Sequence, residues 1–300
     1  MNAVARVRSF NRAVTRHVGA LDDRFLGRDR PLGASRLLFE IGPEGSEVRR
    51  LRDRLGLDSG YTSRLLRTLE RQGLVRTGPA TGDSRVRFVT LTAAGRREVA
   101  VLDRRSDQAA AELLERLAPS QREALTAAMG TVERLLLASA VELEVADPAT
   151  PAARYCIAQY FEELGRRFEA GFDPARSISA DAEELTPPRG WLVLAMLHGE
   201  PVGCGGLKCA PAHGEIKRMW VAPAARGLGV ARRILARLEA IARERRLPLL
   251  RLETSRSLTE AQALYRTSGY REVPAFNDEP YAHHWFEKAL GPPRHAARAR

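Results

Sequence analysis

The sequence predicts an α+β protein of two domains. A mainly α winged helix-turn-helix domain is expected over residues 1–145, and an α/β domain with a mixed sheet over residues 151–291. Three observations carry this prediction. The chain has 300 residues, enough for two cores. Apolar residues recur at helical spacing through the first half, whereas the second half mixes short apolar runs with helical stretches. Between them, Val145 to Ala153 is poor in large apolar residues and contains Pro148 and Pro151, so it reads as a linker.

In the first half, Val4, Val7, Phe10, Val14, Val18 and Leu21 repeat every three to four residues and predict a helix from Ala3 to Leu26. Pro31 interrupts the pattern. A short helix is expected from Ala34 to Ile41, then one capped by Ser46 and closed by Gly56, carrying Val48, Leu51 and Leu55. Asp58 caps the next, which ends at Gly73 with Tyr61, Leu65 and Leu69 facing inward. Two short helices joined by Gly56-Leu57-Asp58 read as a helix-turn-helix, with Asp58 to Gln72 as the recognition helix. The outward face is expected to hold Ser59, Thr62, Ser63, Arg64, Arg67 and Arg71, hydroxyls and guanidiniums suited to phosphates and base edges.

Leu74 to Arg76 and Val86 to Thr90 predict two strands around a turn, a wing beside that helix. Beyond it, one long helix is marked by Val99 to Leu117 and another starts at Pro119. Charge agrees with this layout. The chain carries +11, and from Arg49 to Arg97 twelve arginines stand against four acids, roughly +8 in a short stretch that attracts polyanions.

The segments Leu55-Gly56-Leu57-Asp58, Ser63-Arg64-Leu65-Leu66, Leu69 to Val75, Asp83-Ser84-Arg85 and Leu91 to Gly95 resemble the MarR family of winged-helix regulators, over Ala3 to about Glu144. The resemblance implies that Asp83 braces the wing and that Arg85 or Arg87 reaches the minor groove, where negative potential is concentrated. It also implies a homodimer formed by the first and last helices, binding a pseudo-palindromic operator in double-stranded DNA.

In the second half a helix is expected from Arg154 to Ala170. Trp191 to Leu197 and Val202 to Leu207 then form a hairpin, followed by a central strand from Glu215 to Val221 with a local irregularity. Pro223 stops that strand, and Ile234, Leu235, Leu238 and Ile241 recur at helical spacing. Between them lies Arg226-Gly227-Leu228-Gly229-Val230-Ala231. Its glycines let backbone approach a ligand, and the unpaired amides of the new helix favour an anion such as a pyrophosphate. Leu249 to Thr254 follows as a parallel strand, completing a right-handed βαβ unit, and Tyr281 to Ala289 is expected as the last strand.

Arg226-x-x-Gly229-x-Ala231, after a strand ending Val221-Ala222-Pro223, resembles the coenzyme A site of the GNAT N-acetyltransferases, and Glu260 to Tyr270 resembles that superfamily's later Ala-x-x-Leu-Tyr segment. The resemblance implies acetyl-CoA as cosubstrate, with Arg226, Gly227, Leu228, Gly229, Val230 and Ala231 on the pyrophosphate. Backbone of Met219 and Val221 would contact the acetyl carbonyl and pantetheine. Tyr265 would protonate the leaving thiolate. Glu215 is the first choice of base and Glu253 the second, or Glu253 binds a cationic substrate. Leu258 stands where relatives often have asparagine. A GNAT domain usually opens with a strand, but residues 151–170 look helical, so that strand is missing, displaced or hidden.

No apolar run is long enough for a membrane span and no apolar secretory core is present, so a soluble cytoplasmic protein is expected. Three cysteines give neither a disulfide framework nor a zinc spacing, and adjacent His283 and His284 point to opposite faces of a strand; no metal is expected. The basic tail from Gly291 to Arg300 is expected to be disordered. The expected function is a DNA-binding transcriptional regulator joined to an enzyme acetylating a primary amine on a small molecule. The alternatives are a regulator whose second domain senses acetyl-CoA or a ligand without turnover, or one that acetylates protein lysines.

Overall fold

In the computed structural model, residues 2–80, 83–169, 171–178 and 180–291 are described, with backbone alone at 83–85. The expectations for Arg85, for the Asp83 brace and for most of the basic tail therefore fall outside the described residues or side chains. The chain packs as two units, Met1–Ala128 and Met129–Arg300, a division inside a helix rather than at the proline-containing segment.

The first unit contains α1 (Ala3–His17), α2 (Leu32–Ile41), β1 (Ser46–Glu47), α3 (Val48–Leu55), α4 (Ser59–Arg71), β2 (Val75–Ala80), β3 (Asp83–Leu91) and α5 (Ala93–Glu115). Three expectations are corrected. The first helix ends at His17 rather than Leu26, because Gly19 takes a positive φ of 64° just beyond it. Ser46 is no helix cap but a strand residue opposite Val89. Thr62 is 1% exposed, and its hydroxyl donates to the Asp58 carbonyl at 2.8 Å, so it belongs to the core side of α4. The Asp58 cap itself is present, its carboxylate accepting from the Tyr61 amide at 2.8 Å. Leu37, Leu38, Leu51, Leu66 and Leu69 fill the core where α2, α3 and α4 converge. Burial of each such side chain stabilises by roughly 1.5–3 kcal/mol. Beneath them Glu98 on α5 accepts from Arg28 at 2.7 Å through each oxygen and from Arg30 at 2.5 Å.

The division falls within α6 (Pro119–Ala140). The second unit continues with β4 (Val141–Ala146), α7 (Pro151–Arg167), β5 (Gly190–Leu197), β6 (Glu200–Cys209), β7 (Gly214–Val221), α8 (Val230–Glu244), β8 (Leu249–Thr254), α9 (Thr259–Thr267), β9 (Arg271–Val273) and β10 (His284–Ala289). The last strand is thus shorter than the expected Tyr281 to Ala289. One seven-stranded sheet runs β4-β5-β6-β7-β8-β10-β9. The first strand that looked missing is β4, which pairs antiparallel with β5 from Val141↔Leu197 to Ala146↔Leu192. It lies upstream of α7, in residues the sequence reading gave to the first domain. Thr150 caps α7 through the Ala153 amide, and Pro151 suits its first turn.

α8 packs its Ile234, Leu235, Leu238 and Ile241 face on one side of the sheet, and α7 lies on the other side with Cys156, Leu192, Leu194 and Trp220. Strands β7 and β8, the parallel pair, are bonded only at Gly214↔Leu250 and Glu215↔Arg251. Beyond that point they part, and the opening is the structural origin of the site.

Candidate functional site

Two cavities occupy the opening between β7 and β8. The larger, about 820 Å³, runs beside α7, α8 and α9, and the smaller, about 90 Å³, lies deeper among β7, β8 and the loop around Tyr281. Both are lined by Tyr160, Leu164, Met219, Leu258, Ala261 and Tyr265. These six side chains form a common neck.

At the outer end of the larger cavity the chain leaves β7 through Pro223 and enters α8 at Gly229. Gly227 and Gly229 have φ of 79° and 75°, and a Cβ on either would meet nothing within 4 Å. No side chain caps α8. Its first amides, with the positive end of the helix dipole, therefore face the cavity wall formed by Gly229, Val230 and Ala231. Leu228 turns instead into the core, 8% exposed. Arg226 lines the larger cavity too, and its guanidinium bonds Glu163 at 2.5 Å and the Val221 carbonyl at 3.1 Å.

Glu163 belongs to α7 and also accepts from Trp220 Nε1 at 3.0 Å and Arg167 at 3.3 Å, while Arg167 reaches Glu260 at 2.7 Å. Tyr160, Glu163 and Arg167 thus wall the larger cavity, yet sequence reasoning assigned them no role. Their spacing of three and four residues on one helix face was the available signal.

The central strand carries a bulge. Gly206 pairs with Lys217 but Cys204 with Trp220, so Arg218 and Met219 together oppose Gly205; Arg218 takes a φ of 58°. A Cβ on Gly205 would lie 2.5 Å from Ile234 Cγ2 and 2.6 Å from the Met219 sulfur, so a side chain there would displace both. The bulge puts two consecutive residues, Lys217 and Arg218, in the wall of the smaller cavity, and the Arg218 guanidinium turns from it to the Ala180 carbonyl at 2.7 Å and the Phe161 ring at 4.3 Å. Lys217, 8% exposed, bonds Glu253 and lies 3.3 Å from Glu215.

The two candidate carboxylates differ. Glu253 lines the smaller cavity, and its Oε2 is buried without a partner. Burial pushes its carboxyl up from the ordinary range, partly offset by Lys217 and reinforced by the charges of Glu215 and Glu279. Glu215 lines neither cavity. Burial raises it too, but Lys217, Lys208 and His213 outweigh that and hold it below its usual value. Tyr265, buried in the neck, packs edge-on against Tyr270 at 5.9 Å, and burial pushes its phenol well above its ordinary value. Val221 lines the larger cavity.

On the first unit, Ser59, Arg64 and Arg67 are exposed along α4, Ser63 is half-buried, and Arg87 is exposed on β3. Arg64 lies 5.6 Å from the Tyr61 ring. Among the described residues no cluster of His, Cys, Asp and Glu is arranged to hold a metal ion, and no helix is long and apolar enough to cross a membrane.

Comparison with known proteins agrees with both units. The profile of the acetyltransferase (GNAT) family matches residues 157–270, and that of the MarR family matches residues 28–86. An "IAA acetyltransferase" of Azospirillum brasilense is 35% identical over 127 residues, covering 42% of this chain and 82% of that protein. Among solved structures, a GNAT-family acetyltransferase from Staphylococcus aureus is 18% identical at a TM-score of 0.43, over 50% of this chain and 99% of that one. An "IAA acetyltransferase from Bacillus cereus" is 18% identical at a TM-score of 0.36, over 50% and 99%. The chain belongs to the GNAT acetyltransferase family through its second unit and carries a MarR family domain in its first.

Proposed function

We propose that the chain is a DNA-binding transcriptional regulator joined to an acetyl-CoA-dependent N-acetyltransferase that acts on the primary amine of a small molecule. The supporting observation is the pair of cavities sharing one neck at Tyr265 and Met219. The larger, ending on glycines and uncapped amides, suits a long chain that terminates in a pyrophosphate. The smaller, with buried carboxylates, suits an amine.

In this reading acetyl-CoA is a cosubstrate held by the backbone of Gly227 to Ala231, and the Arg226–Glu163 pair fixes the turn rather than the phosphates. Backbone amides at the bulge, around Met219 and Val221, donate to the carbonyl as charge develops on it. Glu253 removes the amine proton, a role its cavity position supports better than that of Glu215. Tyr265 supplies a proton to the departing thiolate, for which a phenol kept protonated by burial is suited. Positioning two reactants across one neck supplies much of the acceleration.

On DNA, Ser59, Ser63, Arg64 and Arg67 contact the major groove and Arg85 or Arg87 the minor groove. The exposed apolar face of α1, with Val4 at 68% and Val7 at 57% exposure, supports a homodimer on a pseudo-palindromic operator. A cytoplasmic location fits these partners. Titration calorimetry with acetyl-CoA tests the coenzyme site. The wild type is expected to bind, and Gly229→Glu to weaken binding on the order of 100-fold, since anion–amide bonds are each worth roughly 1.5–3 kcal/mol. Unchanged binding by the variant would remove the turn from the site.

A further inference from the structure

The smaller cavity has more acid in its wall than its own cations balance. Glu253 and Glu279 both line it. Of the two basic residues there, Arg218 sends its guanidinium away to the Ala180 carbonyl and the Phe161 ring, and Lys217 bonds Glu253 with Glu215 at 3.3 Å. Glu279, 7% exposed, is bonded by neutral groups: the Ser177 hydroxyl at 3.0 Å, the Ile178 amide at 2.5 Å and the Tyr281 amide at 3.3 Å. Two carboxylates of the wall therefore face one ammonium, which is shared with a third at Glu215. Glu253 Oε2 has no hydrogen-bond partner either. Buried negative charge left without a cation is unfavourable, so a cationic ligand is favoured here and an anionic one opposed. Beside these acids the wall is aromatic: Phe168 stacks on Tyr281 at 5.6 Å and Phe172 lies 4.9 Å from the same ring. The Tyr281 hydroxyl is already engaged, accepting from the Asp173 amide at 3.0 Å.

We infer that the acceptor is a primary monoamine on an aryl or branched-alkyl body that carries no carboxylate. Its ammonium is held by the charges of Glu253 and Glu279, and its body packs on Phe168, Phe172 and Tyr281, whose ring faces also favour a nearby cation. This deepens the acetyltransferase reading of the same site and rests on it. The reaction is balanced without another reactant. The amine nitrogen forms a bond to the acetyl carbon as the carbon–sulfur bond breaks; of the two protons the ammonium loses, one ends on the thiolate and one leaves through Glu253 to solvent. An α-amino acid would bring its carboxylate among acids whose one ammonium is already taken. A polyamine would have to move a second cation from water onto the aromatic wall. Selectivity thus comes from a repulsive element as well as an attractive one.

The test uses the full chain with acetyl-CoA and compares 2-phenylethylamine and 3-methylbutylamine with L-phenylalanine, L-leucine and spermidine, with acetylated products identified by mass. The two monoamines are expected to have kcat/KM at least roughly 100-fold above the amino acids that differ from them by the carboxylate, and to exceed spermidine. Glu279→Gln, which keeps an acceptor but removes the charge, should cut the monoamine to amino-acid ratio roughly tenfold or more, through the KM for the monoamines. If the variant does not fold, the wild-type ratio decides alone. Equal or better turnover of the amino acids or spermidine, or an unchanged ratio in the folded variant, would overturn this proposal and leave the transferase reading standing. Absence of turnover with every acceptor would overturn both.

Discussion

Glu98 in the first unit and Glu253 in the second are buried to nearly the same degree, with side chains 9% and 8% exposed, yet they are treated oppositely by their surroundings. Glu98 has both oxygens bonded by two arginines. The Arg28 hydrogen bond above all, with Arg30 and both charges, holds its carboxyl below the usual range against the opposing effect of burial. Glu253 has one oxygen bonded by Lys217 and the other by nothing, and burial raises it. A carboxylate whose partners are complete ties chain segments together, whereas one left short beside a cavity is ready for a ligand and a proton.

Replacing each residue in turn should separate those roles. The largest expected effect is that Glu253→Gln lowers the acetyl-transfer rate on the order of 100-fold or more, the scale of general base catalysis. Because the raised carboxyl must be deprotonated to accept a proton, the wild-type rate should climb as pH rises through a value above the ordinary glutamate range. The variant should lose that acid limb; an unchanged limb would take the base role from Glu253.

Glu98→Gln should leave transfer intact and destabilise the first unit by about 3 kcal/mol, since it breaks a buried charge cluster. Thermal unfolding measures it. The sign with pH is fixed: a depressed carboxyl contributes stability above its unfolded value, and that contribution is lost as pH falls through the lower folded one. A variant with wild-type acid sensitivity would contradict the assignment.

The smallest effect is expected where charges are exposed and make no buried pair. Arg64→Ala or Arg67→Ala should each weaken DNA binding roughly tenfold, and raised salt should weaken the wild type further, as counterion release requires. Filter binding across a salt series checks this. Salt-independent binding, or two silent variants, would remove α4 from the interface.

Much of this was legible in the sequence because the governing constraints are local. The Asp58 cap, the breaks at Pro223 and Gly227, and the apolar spacing from Ile234 to Ile241 each act within a turn or two of chain. Strand β4 was harder. Val141, Leu143 and Val145 alternate with Glu142 and Glu144, a period-two signal, but it follows α6 with no breaker between them. Thr62 illustrates a second limit: a hydroxyl can return its hydrogen bond to its own helix and sit inside. The bulge was half legible: Ile216, Met219 and Val221 break the alternation and signal an irregularity, but not that Arg218 takes up the extra residue with a positive φ. That Glu253 lines a cavity and Glu215 does not depends on which strand end faces the opening, and that is set by where β7 and β8 part.

The most direct test of the proposed enzyme is acetyl-CoA-dependent thiol release by the full chain across primary amines, with product masses measured and Tyr265→Phe run in parallel. Release matched by an acetylated amine, and reduced on the order of 100-fold in the variant, is the expected result. Tight acetyl-CoA binding with no amine acetylated would contradict it and make the second unit a sensor of the coenzyme.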